Sequence, residues 1–384
     1  MTKPSNMQLP IDEHPGAIAS EIAQMNQKAL EGVRALSRLE GDNLNAGASV
    51  REAVFTNDHV TLFRYQALVA QPYPVPVLIV YAMVNRPYML DLQEDRSLIR
   101  RLLESGLDVY MIDWGYPERN DRWLTLEDYI DDYLTSCVDY IRRAHRLDAI
   151  HLLGVCQGGV LSLCYAALHP ERVARLITMA TSVDFHIPEG VLNAWVRDGM
   201  SDTDTIDLMV EAMGNIPGDA MNFGFLMLKP FELGMQKYMT LLDSLLDSLD
   251  HHGYPAGFLR MEKWIFDCPD QAGEAWRQYL KHFYVENRLM TNSFYLDGRH
   301  VDFRRVTMPV LNIYAENDHL VPPASSTALR QVVNGAPYTE ASFPVGHIGL
   351  YVSSSVQQRL PALIVDWLCL DCGGVGSTNE DKTS

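Results

Sequence analysis

The chain has 384 residues, 47% of them hydrophobic and 21% charged, with 31 lysines and arginines against 49 aspartates and glutamates for a formal charge of −18. That balance is globular, the length suits one elaborated α/β domain or a domain with a large insertion, and two unrelated domains fit it less well. The excess of negative charge, with no basic cluster, excludes a nucleic-acid partner. At the N-terminus, residues 16–39 place Ile18, Ile22, Met25, Leu30, Val33 and Leu36 on one face of an amphipathic helix. No apolar signal-peptide core stands there, and the best apolar run, residues 75–84, is too short to cross a bilayer, so a cytoplasmic protein is expected.

Residues 51–68 alternate as a β-hairpin turning at Asn57-Asp58. Short apolar runs follow at 75–83, 108–114, 149–155, 174–181, 310–317 and 338–343. Between them, residues 92–104, 125–144, 157–168 and 324–333 carry apolar side chains at helical spacing, and 353–369 supplies a closing helix. Thr125-Leu126-Glu127-Asp128 reads as a capping box. Strands alternating with helices predict a mostly parallel sheet covered on both faces. One interval breaks this rhythm: between Asp184 and Pro309 the chain is rich in Met, Phe, Tyr and Trp, helical in texture and without a convincing strand. So long a connection needs structure of its own, and it reads as a helical cap over the carboxyl edge of the sheet.

The chemistry centres on Leu152-Leu153-Gly154-Val155-Cys156-Gln157-Gly158-Gly159, an apolar strand running through a glycine-flanked cysteine into a helix. That pattern is a nucleophile elbow, in which small flanking residues let strand and helix close on a sharp turn. Ligands of open α/β sheets sit beyond the carboxyl ends of the strands, which directs attention to Asp318 and His347. The order nucleophile, acid, histidine is that of the α/β-hydrolase arrangement, so Cys156, Asp318 and His347 are the expected catalytic residues. Asp184 is the rival acid, while His319, His186, Asp113 and Cys164 carry no comparable signal. The oxyanion donors fall on the backbone amides of Gln157, after the nucleophile, and Val84, after the early strand, with Met83 as the alternative to Val84. A thiol nucleophile exchanges one thioester for another at nearly equal free energy, so the acyl group stays activated for a further nucleophile. His347 would take the thiol proton, and Asp318 would orient the imidazole or act on an incoming hydroxyl.

Six cysteines, Cys137, Cys156, Cys164, Cys268, Cys369 and Cys372, show no disulfide rhythm and suit a reducing compartment. The lone Cys369/Cys372 pair lacks a second pair of ligands, so no metal site is expected.

Six segments stand out together: Tyr81-Ala82-Met83-Val84-Asn85-Arg86-Pro87-Tyr88, Ile112-Asp113-Trp114-Gly115-Tyr116-Pro117, the elbow itself, Met261-Glu262-Lys263-Trp264-Ile265-Phe266-Asp267, Asn317-Asp318-His319-Leu320-Val321-Pro322-Pro323, and Gly346-His347-Ile348-Gly349. With them the chain resembles the polyhydroxyalkanoate synthases, specifically the catalytic subunit of the two-component class III type. The resemblance runs from about Ala53 to Trp367 and places the family's cysteine, aspartate and histidine on Cys156, Asp318 and His347. The order of elements gives an N-terminal helical segment at 1–50, an α/β-hydrolase core at 51–184 and 306–370, an inserted cap at 185–305 and a flexible tail at 371–384, and the first fifty residues and the tail do not share the resemblance. The resemblance implies polymerisation of short (R)-3-hydroxyacyl-CoA monomers such as 3-hydroxybutyryl-CoA, with release of CoA and no cofactor. A homodimer, a second synthase subunit as partner and residence at a cytoplasmic polyester granule follow from the same resemblance. The competing readings are a dienelactone-hydrolase-like thiol hydrolase and a non-catalytic granule-associated protein.

Overall fold

The strands at the centre of the molecule are buried from end to end, as strands covered on both faces must be. In chain order the sheet contains β1 (Arg51–Asn57), β2 (Val60–Tyr65), β3 (Val77–Val80), β4 (Val109–Asp113), β5 (Ile150–Val155), β6 (Val173–Met179), β7 (Val310–Ala315) and β8 (Tyr338–Phe343). The computed structural model describes residues 47–200, 203–228 and 253–369. Spatial order is β1-β2-β4-β3-β5-β6-β7-β8, antiparallel at β1/β2 and β2/β4 and parallel across the rest.

Period-two alternation sends neighbouring side chains of one strand to opposite faces. Leu78 and Val80 of β3, Tyr110 and Ile112 of β4 and Leu152 of β5 join one apolar cluster, with Leu161, Leu163 and Cys164 of the helix after the elbow. Val77 and Ile79, Val109 and Met111, and Leu153 and Val155 join the other, with Leu98, Leu102, Leu360 and Ile364.

Helices α1 (Leu98–Glu104), α2 (Leu134–His145) and α3 (Gln157–Leu168) follow β3, β4 and β5. The expected helix over 92–104 begins only at Leu98: buried Asp91 accepts from Ser49 N at 2.8 Å, Ser49 Oγ at 2.9 Å and Ser97 Oγ at 2.5 Å, holding Asp91–Gln93 against Arg96–Ser97 as a short ribbon. Ser97 then caps α1 by accepting from Arg100 N at 2.8 Å. The capping box is present, since Asp128 accepts from Thr125 N at 2.7 Å and Thr125 Oγ1 accepts from Asp128 N at 3.3 Å, but the first turns, Asp128–Tyr133, are π-helical before α2 begins. The helix expected over 324–333 is two short pieces, Pro323–Thr327 and Leu329–Val332.

After β6 the described residues form α4 (Val191–Gly199), α5 (Thr203–Met213), α6 (Gly218–Leu228), α7 (Gly253–Phe266) and α8 (Gly273–Tyr279), the last continuing as a π-helical segment, Leu280–Val285. Val196, Met200, Ile206, Val210, Ile216, Trp276 and Leu280 give these helices an apolar cluster of their own. A small ribbon, Tyr295–Leu296 with Arg299–His300, corrects the expectation of an interval free of strands. Residues 253–260 belong to one compact unit, and the remainder of the described chain to another. The expected N-terminal helix, the tail and Cys372 lie outside the described residues. No described helix is long and apolar enough to cross a membrane.

Candidate active site

Cys156 stands between β5 and α3 with φ +54° and ψ −120°, a strained conformation that turns its side chain out of the strand-to-helix path. Its backbone amide donates to Met179 O at 2.8 Å, anchoring the turn to β6. A Cβ on Gly154 would strike the backbone of Gly158 and Gly159, one on Gly158 the carbonyl oxygens of Val80 and Tyr81, and one on Gly159 the side chain of Thr181. The flanking glycines therefore let α3 lie directly against the ends of β3 and β5. Cys156 caps the N-terminus of this twelve-residue helix, where the dipole favours negative charge.

Asp318 follows β7, and its side chain is wholly buried. Its Oδ1 accepts from Leu320 N and Val321 N, each at 2.9 Å, and its Oδ2 accepts from His347 Nδ1 at 2.7 Å. Two backbone donors thus fix the carboxylate before the imidazole meets it. Cys156 also acts on the imidazole, favouring its protonated form. Burial works against a charged imidazole, but Asp318 and Cys156 outweigh it and push His347 up to about 10. The Tyr351 hydroxyl lies 3.4 Å from His347 Nε2, and its ring meets the imidazole edge-on at 5.8 Å.

The three residues expected to be catalytic are thereby brought together. Asp184, the rival acid, is engaged elsewhere: its Oδ1 accepts from His186 N and Asn287 Nδ2, both at 2.9 Å. Cys164 is fully buried in the apolar core, which pushes its thiol up. Asp113 is paired with Arg86 at 2.7 Å.

Val84, Met83 and Gln157 line a cavity of about 130 Å³ whose remaining walls include Trp195, Met213 and Phe225. The loop bearing Val84 is held by residues whose role the sequence did not reveal. Gln271 Nε2 donates to Met83 O at 3.0 Å, Trp114 Nε1 to Tyr81 O at 2.9 Å and Trp264 Nε1 to Arg86 O at 2.8 Å. Asn85, left-handed at φ +60°, returns Nδ2 to the carbonyls of Trp264 and Ile265, both at 3.2 Å. Asp267 accepts from Tyr88 OH at 3.0 Å and Tyr116 OH at 2.7 Å. Apart from Gln271, these partners stand in the segments that carry the family resemblance, and the structure shows them meeting around one loop.

Comparison with known proteins follows the same lines. The model of the α/β-hydrolase fold matches residues 75–353, and the model of the poly-beta-hydroxybutyrate polymerase (PhaC) N-terminus matches residues 32–102. The family match thus begins upstream of Ala53, where the resemblance in the sequence was placed. The chain is 53% identical to the poly(3-hydroxyalkanoate) polymerase subunit PhaC of Synechocystis over 91% of its length and 92% of that protein. It is 50% identical to the subunit of the same name from Allochromatium vinosum, over 94% and 99% of the two chains. Among solved structures, a putative lipase from Sulfolobus solfataricus superposes with a TM-score of 0.50 at 15% identity, covering 84% of this chain and 93% of that one, a likeness of fold alone.

Proposed function

The chain belongs to the poly(3-hydroxyalkanoate) polymerase family on the α/β-hydrolase fold, and from that premise we propose that it is an acyltransferase that polymerises (R)-3-hydroxyacyl-CoA through an acyl-Cys156 thioester. The observation that carries this reading is the buried Asp318–His347 pair, 2.7 Å apart, together with a glycine-flanked elbow whose nucleophile is sulfur.

In this mechanism His347 carries the Cys156 proton from the start, as an imidazolium held by the Asp318 carboxylate, and Cys156 enters as the thiolate. The thiolate attacks the thioester carbonyl, the backbone amides of Val84 and Gln157 receive the oxyanion, and CoA leaves as its thiol after taking the proton from His347. The acyl group then passes to a hydroxyl, either that of a chain end or of the next monomer, with His347 removing the hydroxyl proton. Each transfer forms one ester bond and breaks one thioester bond. The helical stretch after β6 serves as a cap that excludes water, so that an alcohol is the acceptor. A class III organisation, with a homodimeric catalytic subunit, a second synthase subunit and a granule surface as the working site, belongs to the same proposal.

The test is incubation of the purified chain, alone and with a class III partner subunit, with 3-hydroxybutyryl-CoA, following CoA and polymer together. Release of CoA with polymer is expected. CoA with only free 3-hydroxybutyrate would replace the polymerase by a thiol hydrolase, and neither product, even with the partner, would leave a non-catalytic protein.

A further inference from the structure

Asp318 takes Nδ1 of His347, so the protons that the imidazole gives and receives in the cycle pass through Nε2. Tyr351 stands at that nitrogen. It comes one turn after His347, in the short helix Gly349–Val352, where its amide donates to Ile348 O at 3.0 Å and its carbonyl accepts from Gln357 Nε2. Its side chain is 1% exposed and belongs to the apolar cluster of Leu350, Val356 and Leu360. Burial, with Cys156, Tyr81 and Asp318 adding to it, pushes the phenol well above its ordinary value, so it stays an O–H. A buried hydroxyl needs a partner, and among the described residues this one has Nε2 of His347, at 3.4 Å. That distance is long for a hydrogen bond. It suits a resting pair in which both groups carry a hydrogen and the Cys156 thiolate is the stronger acceptor for the one on the imidazolium. Once CoA has left with that proton, Nε2 presents a bare lone pair, and the phenol is a donor already beside it.

We infer that in the acyl-enzyme Tyr351 donates its hydroxyl hydrogen to His347 Nε2, and so keeps that lone pair from water until an alcohol arrives. Tyr351 is then a positioning residue, acting through the imidazole, and the inference rests on the acyl-Cys156 reading above. A water at Nε2 would give its proton there while its oxygen attacked the acyl carbonyl. A C–O bond would form, the C–S bond would break, and free 3-hydroxy acid would leave with the thiolate and imidazolium restored. An alcohol reaches the same nitrogen with the binding of the rest of its chain behind it and can displace the phenol, whereas water brings no such binding. Removing the hydroxyl alone leaves a polar gap at the base that a water can fill.

The experiment compares wild type and Tyr351→Phe with 3-hydroxybutyryl-CoA, following the first-turnover burst of CoA and the ratio of free 3-hydroxybutyrate to polymer. A ratio does not depend on how much of either protein is folded. The burst should stay within about twofold, because the phenol is idle while Nε2 is protonated, and the ratio should rise at least about fivefold, the weight of one net hydrogen bond. An unchanged ratio, as a packing defect would give, would overturn the inference, and so would a burst slowed as much as polymer formation. Absence of acylated Cys156 in the intact mass of quenched wild type would instead overturn the acyl-enzyme reading beneath it.

Discussion

The side chains that meet at Cys156 have separable duties, and substitution should separate them. Cys156→Ala removes the acyl acceptor and should abolish CoA release; the residue is half-buried at a helix start, so its thermal unfolding should stay within a few degrees of wild type. Asp318→Asn loses the charge opposite His347 and should lower kcat by about 10²- to 10⁴-fold, in the manner of an orienting acid. Asp184→Asn, far from the imidazole in its hydrogen bonding, should cost less than tenfold; the reverse ranking of the two rates would transfer the acid's role to Asp184. The imidazole also leaves a mark on stability. His347 titrates near 10 in the folded chain against about 6.5 unfolded. The folded state therefore holds this proton more tightly, and the resulting stabilisation is complete below about pH 6.5 and is lost as pH rises through about 10. Urea unfolding of wild type and His347→Gln should show a gap between the two that narrows over this window, and a constant gap would contradict the assignment.

At the scale of elements, the elbow depends on the absence of side chains. Gly158→Ala would drive a Cβ into the carbonyl oxygens of Val80 and Tyr81, which are backbone and cannot swing aside, so the variant should lose roughly 1–3 kcal/mol in denaturant unfolding and misplace Cys156. This constraint was legible in the sequence because it is local, as were the alternating strands and the helix Gln157–Leu168. The hold on the Val84 loop was not: Asn85 and Trp264 are 179 residues apart, and hydrogen bonds between such partners leave no periodicity to read. Local polar contacts that interrupt a helical pattern were equally hidden, which is why the ribbon around buried Asp91 was taken for the start of a helix. The loop's supports make a distinct kinetic prediction. Asp267→Asn leaves the triad untouched but weakens the grip on Tyr88 and Tyr116; if the Val84 amide receives the oxyanion as proposed, kcat should fall several-fold with KM little changed, and unchanged kcat would count against that role.

For the molecule as a whole, the charge of −18 sets the terms on which substrate arrives. CoA carries its negative charge in phosphates, so at long range chain and thioester repel each other, and the repulsion acts on encounter more than on chemistry. Ionic strength controls its reach: the Debye length falls from about 30 Å at 0.01 M salt to about 8 Å at 0.15 M. Raising salt across that interval should therefore increase kcat/KM for 3-hydroxybutyryl-CoA while leaving kcat nearly constant, because His347 is set against buried Asp318 and Tyr351, where screening is weak. A fall in kcat/KM over the same range would mean that basic side chains near the entrance dominate the field felt by the phosphates, and that the acidic remainder of the surface has no part in substrate capture.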